Sequence, residues 1–252
     1  MRIRWMSRLA LASALLLSLS LVAARAANSN PGVLPPNSNP YGKSYGQWAD
    51  AFWQWTLGIP FAQNPTEDAT GQFAGVGQSG KVWFLAGSFG DLPSPVVRNF
   101  SMPNGTALFL PVYQWIFGAT VGDCEPSNPG VTCDVPTLKA SAAAAATSIL
   151  VMEVWIDGVP VKNLRDYRAF SPSSFSVTLP PGNVLENFGF PDPAGTYSPQ
   201  VDDGYWLMIA PLPPGRHNIT VHLVPDPNFG SEQLVVYNIT VLRGKSLQAQ
   251  AE

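Results

Sequence analysis

The sequence predicts a mainly β protein: a single β-sandwich or jelly-roll-like domain with one N-terminal Trp-rich helix and a short Ala-rich helix. Three observations predict it. Short runs of alternating apolar and polar residues recur along the chain, with turn signals at irregular intervals of about 8–20 residues. Only one stretch has clean helical amphipathicity. The regular strand–helix alternation of a parallel α/β fold is missing.

Composition narrows the class further. With 46% hydrophobic residues the 252-residue chain is not disordered. Its 12% charged residues are about half the usual share, too few for a coiled coil. Its 22 Gly and 25 Pro suit a turn-rich fold. No basic stripe exists to follow a phosphate backbone, which excludes nucleic-acid binding.

Residues 1–26 read as a signal peptide. Arg2, Arg4 and Arg8 form a basic start, Leu9 to Ala24 is apolar apart from three serines, and Ala24-Arg25-Ala26 has the small-x-small cleavage pattern. The apolar run is shorter than the roughly 20 residues of a membrane span, so we expect cleavage, a secreted or periplasmic protein, and no span afterwards. Cleavage removes four of the 14 basic residues and none of the 17 acidic ones, leaving a net charge of −7. The remaining chain buries roughly 70% of its unfolded surface, enough for one domain without staples.

The expected organisation is a Pro/Asn-rich lead-in over 27–40, a β-sandwich domain over 41–245 and a flexible tail over 246–252. Ser44 and Gln47 form a capping box, and Gly58 with Pro60 ends the helix they open. Tyr45, Trp48, Phe52 and Trp55 recur at helical spacing on one face, predicted to plug against a sheet. Gln47, Asp50 and Gln54 fall on another face, flanked by Trp53. A short strand follows at Lys81–Ala86. Strands at Val96–Met102 and Thr106–Ile116 are joined by Asn104-Gly105, a type I′ hairpin signal. Ala140–Ala146 favours a helix by propensity. Ile149–Ile156 is a strand ending in the turn Asp157-Gly158. Ser174–Leu179, Tyr205–Ala210, Asn218–Val224 and Leu234–Leu242 complete the set, the last two as a closing hairpin that repeats Asn-Ile-Thr-Val.

Several motifs dissolve in context. Gly42-Lys43-Ser44 lacks the first glycine and the preceding strand of a phosphate loop. Gly75-Val-Gly77-Gln-Ser-Gly80 matches G-x-G-x-x-G but runs into a strand, so no helix N-terminus follows to receive a pyrophosphate. His217 and His222 stand five apart on one strand and point to opposite faces, which argues against a shared metal. The sequence therefore points to no cofactor and no metal. Asn99, Asn104, Asn218 and Asn238 each begin an N-x-S/T triplet, a glycan acceptor pattern in a eukaryotic host.

The pattern left over is aromatic. Seven tryptophans follow the signal peptide, and most must fill the core. Glu153 and Trp155 are two apart on one face of their strand, a pairing that suits a sugar: the indole stacks on C–H groups and the carboxylate accepts hydroxyl hydrogen bonds. The competing expectation is that the Trp-rich helix covers this face.

Several segments also resemble known proteins. These are Gly42-Lys-Ser-Tyr-Gly-Gln-Trp-Ala-Asp-Ala-Phe-Trp-Gln-Trp, Gly77-Gln-Ser-Gly-Lys-Val-Trp-Phe-Leu-Ala-Gly, Ala107-Leu-Phe-Leu-Pro-Val, Ile156-Asp-Gly-Val-Pro-Val-Lys-Asn-Leu, Asp203-Gly-Tyr-Trp and Leu212-Pro-Pro-Gly-Arg-His-Asn-Ile. Over most of residues 42–242 the chain resembles a family of exported, mostly bacterial, β-rich proteins with no established activity. The resemblance implies export and one β-rich domain, and brings no catalytic residues.

The function these observations suggest is binding, with or without turnover, of a neutral carbohydrate or other small neutral ligand, with ligand contacts at Gln47, Asp50, Trp53, Gln54, Glu153 and Trp155. Two alternatives stand beside it. One is a non-catalytic envelope or structural protein whose aromatics are all core. The other is a glycosidase or lyase using a carboxylate pair, for which Asp50 and Glu153 are the candidates.

Cys124 and Cys133, the only cysteines, flank a Pro/Gly loop and are expected to form one disulfide in an oxidising compartment. Alkylation without reductant followed by mass spectrometry should leave both sulfurs unlabelled; labelling of both contradicts the pairing.

Overall fold

The computed structural model describes residues 30–89, 92, 94–120, 134–190 and 192–244. The signal peptide, Cys124, Cys133 and the 246–252 tail lie outside those residues. The described chain forms two five-stranded mixed sheets, as the mainly β reading predicts.

In the first sheet β1 (Val82–Phe84), β3 (Ala107–Gly118), β8 (Gly195–Ile209) and β6 (Arg168–Phe170) lie in that order, and β7 (Phe175–Leu179) pairs with the N-terminal end of β8. In the second, the order is β2 (Val96–Pro103), β10 (Gln233–Leu242), β9 (Gly215–Pro225), β4 (Ile149–Ile156) and β5 (Val159–Pro160). Each sheet contains one parallel pair, β1 with β3 and β2 with β10.

Strand β3 is buried without interruption from Ala107 to Tyr113 because both of its faces are covered. On one face Phe109 meets Tyr45 and stacks on Trp206 at 5.2 Å and 6°. That face belongs to helix α1 (Tyr45–Leu57), which also sets Phe52 against Trp206. Alternation turns Leu108 and Leu110 the other way, toward Val154, Ile156, Ile219 and Val221 of the second sheet. The molecule is thus layered: helix, sheet, sheet. Helix α2 (Val135–Ala146) covers the stretch of β3 and β8 that runs beyond the second sheet, with Leu138 and Ala142 on Val201.

The Asn104-Gly105 turn is real, with Gly105 at φ 75°, but β2 and β3 do not pair. The turn carries the chain from one sheet to the other, so the hairpin expectation is corrected. A two-residue turn signal specifies chain reversal, whereas strand pairing depends on which edges remain free. The Asp157-Gly158 hairpin between β4 and β5 and the β9–β10 hairpin form as expected.

The lead-in is extended and tied down from its first described residue. Asn30 exchanges hydrogen bonds with the Lys162 backbone (2.7 and 2.9 Å), and Val33 bridges to Ile209. Across the molecule, Arg98 points inward from β2 and is 2% exposed. Its guanidinium donates to the carbonyls of Asp68, Ala86 and Thr66 and lies 5.9 Å from the Tyr237 ring. One buried cation thereby fastens the segment between α1 and β2 to the second sheet.

Helix α1 docks as predicted, but its buried stripe is rotated. The capping box forms, with the Gln47 N–H donating to Ser44 Oγ (3.3 Å) and the Ser44 N–H to Gln47 Oε1 (2.9 Å). Ala49, Phe52, Trp53 and Thr56 are buried, whereas Trp48 and Trp55 are only half-buried. Gly46 sets the approach: a Cβ there would collide with the Phe170 carbonyl. Replacing Ser44 with Ala should lower stability by about 1 kcal/mol through the lost cap. Trp53→Ala should cost about 3–5 kcal/mol as a core truncation. Chemical denaturation of both variants checks this, and a Trp53→Ala midpoint at the wild-type value would contradict the docking.

Candidate functional site

The six residues singled out from the sequence fall into two places on opposite sides of the molecule. Gln47, Asp50, Trp53 and Gln54 are on α1, outside the first sheet; Glu153 and Trp155 are on the outer face of the second sheet. Asp50 and Glu153 therefore do not converge into a carboxylate pair.

Gln47 and Gln54 face outward as expected, but Trp53 and Asp50 are tied into the fold, which corrects the expectation that Trp53 walls an open strip. Trp53 is 5% exposed, and its Nε1–H donates to Asp202 Oδ1 at 2.7 Å. Gln54 donates to the Ser176 carbonyl at 3.0 Å, and Gln47 is held in the cap. The Ser171 hydroxyl donates to Asp50 Oδ1 (2.6 Å) and accepts from the Asp202 N–H (2.7 Å). Helix and sheet are thus joined through Asp50, Ser171 and Asp202. The engagement of Asp50, Trp53 and Gln54 is invisible in the sequence because their partners lie more than 100 residues away.

Burial pushes the Asp50 carboxyl up to about 6, against the opposing pull of Ser171, Lys139 and Lys43. Asp202, 1% exposed, is raised well above the carboxylate range by burial, with the Trp53 hydrogen bond resisting and Asp50 and Asp203 adding to the rise. Its Oδ2 has no hydrogen-bond partner at bonding distance, and neither does the nearby Trp206 Nε1.

The outer face of the second sheet differs in kind. Among the described residues Val97, Asn99, Ser101, Asn238, Thr240 and Glu153 are exposed there, so the competing expectation that α1 covers it is overturned. Strand register arranges this face in rows across the strands. One row is Val97, Val236, Thr220 and Trp155, on β2, β10, β9 and β4. The next is Asn99, Asn238 and Asn218. Within it the Asn218 amide donates to Asn238 (2.9 Å), Asn238 donates to Asn99 (3.0 Å), and Thr220 Oγ1 donates to Asn218 (3.0 Å). One N–H of Asn218, one of Asn238 and both of Asn99 make no hydrogen bond among the described residues. A largely apolar row ending in Trp155 therefore lies beside a row of spare amide donors.

The third row holds Glu153 and His222. His222 donates from Nδ1 to Glu153 Oε2 and from Nε2 to Glu232 Oε1, both at 2.8 Å. Those bonds, to Glu153 first and then Glu232, raise its pKa and favour the imidazolium. His217 faces away from His222, as its strand position predicts, and bonds Asp157 and the Pro213 carbonyl. Burial is the largest influence on it and opposes the charge, but the hydrogen bonds to Asp157 and the Pro213 carbonyl, with the Asp157 charge, together outweigh it and raise its pKa. Among the described residues no group of three His, Cys, Asp or Glu side chains is placed to hold a metal ion, and no helix is long and apolar enough to cross a membrane.

The asparagine row is what sequence reasoning missed. Three of the four N-x-S/T triplets supply it, since residues two apart on a strand share a face. The repeated Asn-Ile-Thr-Val was the available signal: outward Asn and Thr around an inward Ile. Only strand register shows that the asparagines stand side by side.

Beside this face, at the free edge of β4, a groove of about 670 Å³ is lined by Leu150, Met152, Glu153, Val161, Arg165 and Asp166, among others. Arg165 Nη2 donates to the Ile149 carbonyl at 3.1 Å.

The raised groups give the fold a signed pH dependence. Asp50 and Asp202 hold protons more tightly folded than unfolded. Their stabilising effect is therefore greatest in acid and is lost as pH rises from the ordinary Asp value near 4 through the folded one, about 6 for Asp50. The raised histidines act in the same direction above about 6.5. The melting midpoint should rise on going from pH 7.5 to 5. Asp50→Asn should raise it at pH 7.5 by a few degrees, on the order of 1 kcal/mol after allowing for solvent screening, and flatten the slope between pH 4 and 6. A midpoint that falls monotonically from pH 7.5 to 5 contradicts this.

No family model matches the chain, and no curated protein does. Among solved structures, one chain from a complex of PbICP-C with falcipain-2 aligns at 12% identity over 64% of this chain and 99% of that chain, with a TM-score of 0.22. A likeness of that size carries no argument about fold or function.

Proposed function

We propose that this is an exported protein that binds a neutral carbohydrate on the outer face of its second sheet. The observation that carries the reading is the pair of adjacent rows, Val97–Val236–Thr220–Trp155 and Asn99–Asn238–Asn218. A pyranose has apolar C–H faces and a rim of hydroxyls. The first row offers it an indole and aliphatic side chains, and the second offers amide donors already polarised by the hydrogen bonds along their row.

Charge on the face supports a neutral ligand. Glu153 and Glu232 share the His222 imidazole, which offsets part of their charge and leaves little there to attract an ionic polymer. Glu153, 48% exposed at its side chain, keeps lone pairs for a ligand hydroxyl.

The test is a glycan array probed with residues 27–252, followed by calorimetry on each hit. Neutral glycans should bind. Trp155→Ala should weaken binding at least tenfold while leaving the melting midpoint within a few degrees, because the ring is only half-buried. Asn238→Ala, which breaks the amide row at its centre, should weaken binding comparably. An array without neutral hits, or a Trp155→Ala protein that binds normally, contradicts the proposal.

A further inference from the structure

We infer that the ligand is an extended, β-linked neutral polysaccharide chain lying across the strands, and that the groove at the β4 edge receives the sugar units beyond Trp155. This rests on the carbohydrate reading and specifies its substrate class.

The first argument is direction. Both rows run perpendicular to the strands, the apolar one from β2 to β4 and the asparagine one from β2 to β9. The apolar row crosses three inter-strand gaps of about 4.8 Å each, roughly 14 Å in all, and the asparagine row crosses two, so each is longer than one sugar ring. The spare donors recur once per strand, so they fit a ligand that repeats along the row. A single sugar would meet one asparagine and leave the others idle. A flat chain with equatorial hydroxyls keeps its C–H faces over one row and its hydroxyl edge over the other, whereas a coiled α-linked chain lifts off after a unit or two.

The second argument is continuity. Glu153, two residues from Trp155 on the same face of β4, also lines the groove, so a chain that turns along β4 at Trp155, where β5 closes the straight path at Pro160, reaches the groove past Glu153. The groove volume of about 670 Å³ lies within the usual range for small-ligand sites. Its lining suits sugar. Leu150, 59% exposed, gives an apolar wall, and Asn163, Arg165, Asp166 and Glu153 offer donors and acceptors with no large net charge. The groove opens where pairing along the β4 edge ends, past the hydrogen bond from the Val161 N–H to the Val154 carbonyl at 2.8 Å.

The experiment is calorimetric titration with a ladder of β-1,4-linked gluco-oligosaccharides from one to six units, with α-1,4-linked counterparts as the contrast. The wild type should bind the β-linked hexamer at least tenfold more tightly than the trimer, and the α-linked series weakly or not at all. Leu150→Asn and Arg165→Ala should each pull the hexamer down toward trimer affinity and leave the trimer unchanged. Leu150 is a surface side chain, so that variant remains informative if loss of Arg165 disturbs folding. Trp155→Ala should weaken both lengths.

A hexamer no tighter than the trimer, equal binding of the α-linked series, or both groove variants behaving as wild type would overturn the inference. So would failure of the whole β-linked ladder while the array scores another neutral glycan, an outcome that leaves the carbohydrate reading standing. Failure of the ladder together with an empty array removes both.

Discussion

Everything in this fold is arranged around β8, a strand of 15 residues whose last ten, from Gln200 to Ile209, are buried on both faces. One face carries Asp202, Trp206 and Met208 and needs α1. The other carries Val201, Asp203, Tyr205, Leu207 and Ile209 and needs α2 and the second sheet. Its edges are as crowded: β3 pairs along one, and β6, β7 and the bridge from Val33 share the rest. A central strand this apolar folds only if covering layers arrive from distant parts of the sequence. The aromatic stack of Phe109 on Trp206, with Tyr45 and Phe52 against it, is where those layers meet.

The same constraint explains the two carboxylate environments. On the β8 side, polar groups are tolerated only with partners. Asp203 pairs with Arg168 at 2.8 Å, and Asp202 takes the Trp53 indole. Asp202 still keeps one oxygen without a hydrogen-bond partner, and burial raises its pKa and favours the neutral acid. Such groups position a helix and offer nothing to a ligand. Glu153, in contrast, sits on a sheet with one covered face and keeps its second face in water. A half-covered sheet can hold a surface of aromatic, amide and carboxylate groups at little cost in stability, because none of them loses its hydration on folding.

Local signals in the sequence were strong where chemistry is local. The capping box at Ser44, the Ala-rich helix, the strand Ile149–Ile156 and the turn Asp157-Gly158 each depend on neighbouring residues, and each stands as the pattern implies. The helix face was harder. Trp48 and Trp53 are both large and apolar, and which is buried more deeply depends on where Gly46 meets Phe170 and where Asp202 waits for an indole. Neither partner is near in sequence.

The sequence by itself determined the fold class, the period of each strand and the fact that Glu153 and Trp155 share a face, because side-chain alternation is a property of a single strand. Only the tertiary structure decided that this face is open, that α1 lies on the other sheet, and that Asn99, Asn218 and Asn238 form one hydrogen-bonded row. The physical reason is that pairing and register are relations between strands. Asn99 and Asn238 are adjacent because β2 joins β10 in parallel, across more than half the chain, to satisfy an edge that no local signal marks.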